Sequence, residues 1–587
     1  IIFFIPFASS FSKYPIARTT YGAVRGYEYE ASSGFVGEIY KKIPFAAPPI
    51  GPSRWKKPQP PEPWNYTIDG TFAGPACAQV KSSWVGYPSG ISEDCLTMNI
   101  YTSRICRESN ASCPVIVYIH GGSALFSSAI HFPDDHLVSK YPKEGIILVT
   151  ISYRVGVFGV MALGDEHALP ANLAVHDVIE SLRFVQQTIH AFGGDKEQVT
   201  IMGHSIGSTI ALLLAFSPAV NKAGEPPLFA RAISISASMN FEEQEKQVNR
   251  THGVAAHLGC KGTAQEIVTC LLPFTTEEML SAAYEVCGEA LGFSATCLAG
   301  ITIAGELYPA LNMNELRENQ KAHMAQLAPA PPTKLMIGTQ LNEFRQDSNM
   351  WSHQINVAGG TVIEAIDALG VRNYRECANK YTDDVKTGVF KPEYDTLSQC
   401  LILTASLFAS TQARAGGEVY LYQNDYPMHS DHADDLYFLM GVHEYPMDEN
   451  EQWLSRVYPV YFTNFIKGVP LAPDWKPLDP ELMNYYSINK SFEDGVSPHM
   501  KLGYHQPITD YYTDLQKLDA NLTKVKQLKA TAPIKFNSLL ISSGEPFNIQ
   551  NLLAYSIIFG LLLLAVLGIS QCYQNRQKRG GYIPLKA

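Results

Sequence analysis

The 587 residues are 46% hydrophobic and 17% charged, a balance that excludes intrinsic disorder and supplies a large core. The formal net charge of −11 excludes a sequence-independent grip on nucleic acid, which needs a basic surface. No Cys-x-x-Cys pair occurs, so the commonest zinc and thiol-redox patterns are absent, and neither a metal nor a cofactor is expected.

Residues 1–7 are apolar and run into Ala8-Ser9-Ser10, the pattern of a secretory h-region and its small-residue cleavage site. Residues 1–12 are therefore expected to be residual signal peptide, with the mature start between Ser9 and Ala17. Ten of the 11 cysteines fall into close pairs: Cys77 with Cys95, Cys106 with Cys113, Cys260 with Cys270, Cys287 with Cys297, and Cys377 with Cys400. An even set at short spacings predicts disulfides and an oxidising compartment, against the alternative of buried thiols. Glycosylation sequons begin at Asn65, Asn110, Asn249, Asn489 and Asn521, which agrees with that compartment although sequons also arise by chance.

Through the middle of the chain, apolar β-rich runs alternate with helical patterns. Residues 114–119, 145–152, 199–202, 232–235, 334–337 and 419–422 read as strands. Residues 172–189 place Leu173, Val175, Val178, Ile179, Leu182, Val185 and Ile189 on a helical period, and 206–216 read as a second helix. Alternating strands and helices predict an α/β fold with a large, mostly parallel central sheet flanked by helices.

Gly203-His204-Ser205-Ile206-Gly207 matches the nucleophile elbow G-x-S-x-G, and it stands between a predicted strand and a predicted helix, as that motif requires. The turn is tight, so small neighbours are needed, and it lifts the serine hydroxyl towards a positive helix N-terminus. A serine needs a base to take its proton. It also needs donors for the developing oxyanion, worth roughly 3–4 kcal/mol each. His120-Gly121-Gly122 ends a predicted strand and resembles the H-G-G oxyanion loop of esterases. The amides of Gly121, Gly122 and Ile206 are the expected donors; taken alone, the glycine pair also suits an ordinary turn.

Several stretches together resemble the type-B carboxylesterases, the family that includes cholinesterases. Ile43-Pro44-Phe45-Ala46-Ala47-Pro48-Pro49-Ile50-Gly51-Pro52-Ser53-Arg54-Trp55 is similar to that family's N-terminal signature, and Ser92-Glu93-Asp94-Cys95-Leu96-Thr97-Met98-Asn99 to its E-D-C-L-x-x-N motif. Phe192-Gly193-Gly194-Asp195 matches its lead into the elbow. The resemblance implies an α/β-hydrolase domain over 13–518 and a serine carboxylic-ester hydrolase acting on a small-molecule ester. It places the acid at Glu343, in Gly338-Thr339-Gln340-Leu341-Asn342-Glu343, and the base at His432, in His432-Ala433-Asp434-Asp435-Leu436. His429 and His443 are nearby competitors for the base.

The chain departs from the family where His204 and Ile206 flank the serine in place of the usual glutamate and alanine. The first change removes a negative charge, and the second adds bulk beside the oxyanion pocket. Both argue against a cholinesterase. Trp84, between Cys77 and Cys95, offers a face for cation–π recognition of choline, although such a tryptophan more often only packs. Two alternatives to hydrolysis are acyl transfer to a small alcohol or glycoside and a catalytically weak adhesion or receptor ectodomain.

Residues 519–550 show no clear period and read as a stalk. Residues 552–569 form an uncharged apolar run, at about 1.5 Å per residue just long enough for a bilayer core of about 30 Å, so 551–571 are the expected transmembrane helix. Arg576, Lys578 and Arg579 follow, which makes 572–587 a cytoplasmic tail and the protein a single-pass type I membrane protein with its large domain lumenal or extracellular. Charges after the apolar run exclude a GPI signal. Cys572 stands at the inner face. Tyr582-Ile583-Pro584-Leu585 resembles the tyrosine-based sorting signal read by clathrin adaptors, with Tyr582 and Leu585 as its anchors, and points to endolysosomal or plasma membrane.

Overall fold

Runs rich in Val and Ile pair into one eleven-stranded mixed sheet, as expected of strands buried on both faces. The computed structural model describes residues 13–80, 89–108, 112–217, 220, 226–237, 241–242, 244–287, 301–302, 333–344, 373–394 and 396–531. In chain order the sheet strands are β1 (Tyr27–Glu30), β2 (Val36–Pro44), β3 (Thr97–Thr102), β4 (Cys113–Ile119), β5 (Ile147–Ile151) and β6 (Gly194–His204). They continue with β7 (Arg231–Ile235), β8 (Lys334–Gln340), β9 (Val419–Asn424), β10 (Tyr485–Ile488) and β11 (His499–Lys501). Across the sheet the order is β11-β10-β9-β8-β7-β6-β4-β5-β3-β2-β1. Every neighbouring pair from β10 to β5 is parallel, and both flanks are antiparallel.

Side chains alternate between two apolar layers, as the pleat requires. Val115, Val117 and Ile119 of β4, Ile201 of β6, and Leu335 and Ile337 of β8 face one core. Ile116, Tyr118, Met202 and Met336 face the other. The first layer is covered by α1 (Leu173–Thr188) and α2 (Ile206–Phe216), which is buried along its whole length. Further on come α3 (Tyr374–Thr387), α4 (Thr396–Arg414) and the short α5 (Leu436–Met440). The second layer is covered by α6 (Glu449–Lys467), which packs on β4 and β6 and starts at a capping box made by Asp448 and Glu451. The last described helix is α7 (Gln506–Thr531).

The structure sharpens the strand bounds read from sequence. The run expected at 199–202 extends back to Gly194, because the polar 195–198 enter the sheet through a register irregularity between Gly194 and Val199. Residues 519–531, expected to begin a stalk, are helical. Asp519 is buried, and its carboxylate accepts from the backbone and side-chain nitrogens of Asn373, both at 2.7 Å. No helix among the described residues is long and apolar enough to cross a membrane; the expected span at 551–571 and tail at 572–587 lie outside them.

Disulfides join Cys77 to Cys95, Cys106 to Cys113 and Cys260 to Cys270. The bridge expected between Cys377 and Cys400 is not formed. These two residues lie on separate helices, α3 and α4, both buried, and the Cys377 thiol points at the Leu515 carbonyl at 3.8 Å. The side chain of Cys287 and all of Cys297 lie outside the described residues.

Candidate active site

Parallel strands place their C-terminal ends on one edge, and the loops that follow them share that edge. Gly121 and Gly122 follow β4, Ser205 follows β6, Glu343 follows β8 and His432 follows β9. Residues far apart along the chain thus meet through the sheet.

The elbow explains its own residue types. A Cβ on Gly203 would lie 2.1 Å from the Gly207 carbonyl oxygen, and one on Gly207 would lie 2.2 Å from that of Ile119. Only glycine fits at either position. Between them Ser205 takes φ 56° and ψ −125°, outside the regions comfortable for an L-residue, at a cost of about 1–3 kcal/mol. The surroundings hold it there: its N–H donates to the Ile235 carbonyl at 3.0 Å, and its carbonyl accepts from the Thr209 N–H at 3.0 Å. The hydroxyl emerges at the first turn of α2, whose early amides lack partners within the helix.

His432 Nε2 lies 2.9 Å from the Ser205 Oγ, so the neutral imidazole accepts the hydroxyl proton there. On its other side Nδ1–H donates to Glu343 Oε2 at 2.7 Å, which fixes the tautomer. Glu343 is fully buried, and its Oε1 accepts from the Gln340 N–H at 2.8 Å. Burial pushes the His432 imidazole well below its ordinary value of 6.5, so it is neutral at neutral pH. Phe344 stacks on the ring, with centroids 4.6 Å apart.

Of the two competing histidines, His429 makes other contacts and His443 lies near enough to His432 to act on it electrostatically. His429 pairs with Glu451 through Nδ1 at 2.5 Å and stacks on Tyr445. His443 is half-buried with φ 62°. Among the described residues, the imidazole bonded to Ser205 is that of His432.

The expected oxyanion loop lies against Ser205: a Cβ on Gly121 would come 3.1 Å from the Ser205 Cβ. Gly122 follows with φ 98°. His120 holds the loop from behind. Its ring stacks on Tyr153, its Nδ1–H donates to the Gly121 carbonyl at 2.9 Å, and its own carbonyl accepts from the Tyr153 hydroxyl at 2.8 Å. Ile206 is 2% exposed and belongs to the core beneath the sheet, so its branched side chain is taken up by packing.

Sequence reasoning missed two groups here. His204 was noted only as a departure, yet its Nε2 lies 2.6 Å from the backbone carbonyl of His432. Asp435 is fully buried and accepts from the Tyr458 hydroxyl at 3.0 Å. Burial, together with the Glu343 charge, pushes the Asp435 carboxyl up to about 7. Neither position carries a motif of its own.

Of the sequon asparagines, Asn65, Asn249 and Asn521 are exposed and Asn489 is half-buried, while Asn110 lies outside the described residues. Trp84, Cys572, Tyr582 and Leu585 also lie outside them. No cluster of three His, Cys, Asp or Glu that could hold a metal ion occurs among the described residues.

Comparison with known proteins bears on the family and the fold. The chain is 26% identical over 553 residues to gut esterase 1 of Caenorhabditis briggsae, covering 86% of this chain and 93% of that one. It is 37% identical over 267 residues to juvenile hormone esterase of Tribolium castaneum, a match that spans 44% of this chain and 43% of that one. The crystal structure of juvenile hormone esterase from Manduca sexta, with OTFP covalently attached, shares the fold: the TM-score is 0.72 at 22% identity, covering 86% of this chain and 100% of that one. The model of the carboxylesterase family matches residues 13–506, and the chain belongs to that family.

Proposed function

We propose that this carboxylic-ester hydrolase works with Ser205 as nucleophile, His432 as general base and acid, and Glu343 as the group that holds and charge-stabilises His432. Ser205 Oγ attacks the ester carbonyl carbon while its proton passes to His432 Nε2. The ester C–O bond then breaks, and the leaving alcohol takes the proton from Nε2. Water repeats the sequence on the acyl-enzyme, releasing the acid and restoring Ser205. Glu343 stays ionised throughout and stabilises the imidazolium. The Gly121, Gly122 and Ile206 amides receive the oxyanion; the closeness of Gly121 to Ser205 and the position of Ile206 as first residue of α2 support this.

The observation that carries the reading is the continuous Ser205–His432–Glu343 hydrogen-bond chain, 2.9 Å and 2.7 Å long at its two links. Its test is hydrolysis of an activated aryl ester, measured alongside labelling by a fluorophosphonate. Wild type does both and Ser205→Ala does neither; hydrolysis or labelling retained in Ser205→Ala contradicts the reading.

The same reading places the domain on the lumenal or extracellular side of a membrane, anchored by 551–571. The three disulfides and the exposed sequon asparagines support an oxidising compartment, and Arg576, Lys578 and Arg579 support the orientation. The pattern around Tyr582 and Leu585 supports an adaptor signal that directs it to endolysosomal or plasma membrane. Truncation after residue 550 is expected to release the enzyme from carbonate-washed membranes; full-length chain released by the same wash contradicts the anchor.

A further inference from the structure

His204 stands at the last position of β6, one residue before the nucleophile, and is 5% exposed. Its Nε2 lies 2.6 Å from the backbone oxygen of His432. A carbonyl only accepts, so Nε2 carries the proton and Nδ1 holds the lone pair. On the far side of the ring, a Cβ built on Gly121 would lie 3.0 Å from Nδ1, so the imidazole is flush against the backbone of the oxyanion loop. One ring therefore spans three chain segments: the elbow, the oxyanion loop and the loop that carries His432.

The bond it makes ties the His432 backbone to the elbow. The His432 N–H already donates to the Glu343 carbonyl at 2.8 Å. With His204 on its carbonyl, both backbone polar groups of His432 are anchored, one on the acid loop and one on the elbow. Its side chain is anchored too, at Nδ1 by Glu343 and across its face by Phe344. The base is held against Ser205 by an atom of Ser205's own neighbour, so a shift of the base loop is opposed at the point where it would open the Ser205–His432 distance.

We propose that His204, as the neutral Nε2–H tautomer, is a positioning residue that clamps the His432 backbone to the nucleophile elbow. The inference rests on Ser205 and His432 being the reacting pair. Neutrality follows from the surroundings: burial comes first, and the imidazoles of His432 and His443, the titratable groups that face His204, add to it. A clamp that never gains charge leaves the basicity of His432 to burial and Glu343. A carboxylate at position 204 would change both the clamp and the charge.

The test compares His204→Ala, His204→Gln and His204→Glu with wild type, using an activated aryl ester for kcat and KM and a fluorophosphonate for the rate of Ser205 modification, each across pH. His204→Ala loses the clamp, and kcat and the labelling rate both fall roughly tenfold while KM moves less than about twofold. His204→Gln keeps a neutral N–H donor and recovers to within about threefold of wild type. His204→Glu places a negative charge beside His432 and moves the acid limb of kcat/KM up by about one pH unit, a shift that a packing role would not produce. Wild-type rates in His204→Ala, a His204→Gln as impaired as His204→Ala, or an unmoved acid limb in His204→Glu would each overturn the clamp. Labelling that persists in Ser205→Ala refutes the underlying reading instead, so the two failures are distinct.

Discussion

His432 and Glu343 are joined twice, once between Nδ1 and Oε2 at 2.7 Å and once between the His432 N–H and the Glu343 carbonyl at 2.8 Å. The backbone link survives a change of the side chain, so the electrostatic part of the pair can be removed while the loops stay in register. Glu343→Gln is expected to lower kcat by about 10³–10⁴-fold, because a neutral amide neither fixes the tautomer nor stabilises the imidazolium. KM is expected to stay within a few-fold. Steady-state kinetics check this, and a loss under about tenfold would show that Glu343 is not the acid.

Burial sets the pH range of activity. It holds the His432 imidazole below 6.5, and in the proposed mechanism the neutral form accepts the Ser205 proton. Activity is therefore present above the folded-state value and lost as pH falls through it. The acid limb of kcat/KM is expected below pH 6.5 for a substrate that does not itself titrate. A limb centred at about 7 or above contradicts a neutral, desolvated base.

Asp435 links pH to stability with the opposite sign from an ordinary paired carboxylate. Burial raises it from 3.8 to about 7 in the fold, so the folded state binds the proton more tightly than the unfolded chain. The stability tied to this proton is fully present below about 3.8 and is lost progressively as pH rises through about 7. Asp435→Asn carries no titrating group, and it keeps an oxygen to accept from the Tyr458 hydroxyl. Its Tm relative to wild type is expected to rise between pH 4 and 8, as read by thermal melts; a difference flat with pH would mean that Asp435 ionises normally in the fold.

How much of this could be read from the chain differs from residue to residue. The central strands were legible because parallel strands buried on both faces are continuous apolar runs, and α2 because its bounds follow from the elbow. The extension of β6 back to Gly194 was not, since residues 195–198 are polar and join through an irregularity in register. Ser205 was legible because G-x-S-x-G is local, and the close approaches at Gly203 and Gly207 show why the pattern is so restrictive. Glu343 and His432 came only from family resemblance, because their meeting depends on strand order across the sheet. His204 gave no signal for a similar reason: its partner is a backbone oxygen, which no side-chain pattern marks. The Cys377–Cys400 expectation failed because short spacing does not say which faces of two helices meet.

The most direct test of the account is to treat the purified enzyme with a fluorophosphonate and locate the adduct by peptide mass spectrometry. The account predicts one stoichiometric modification on Ser205, formed in step with loss of esterase activity and absent from Ser205→Ala. An adduct on another residue, or full inactivation with Ser205 unmodified, would contradict it.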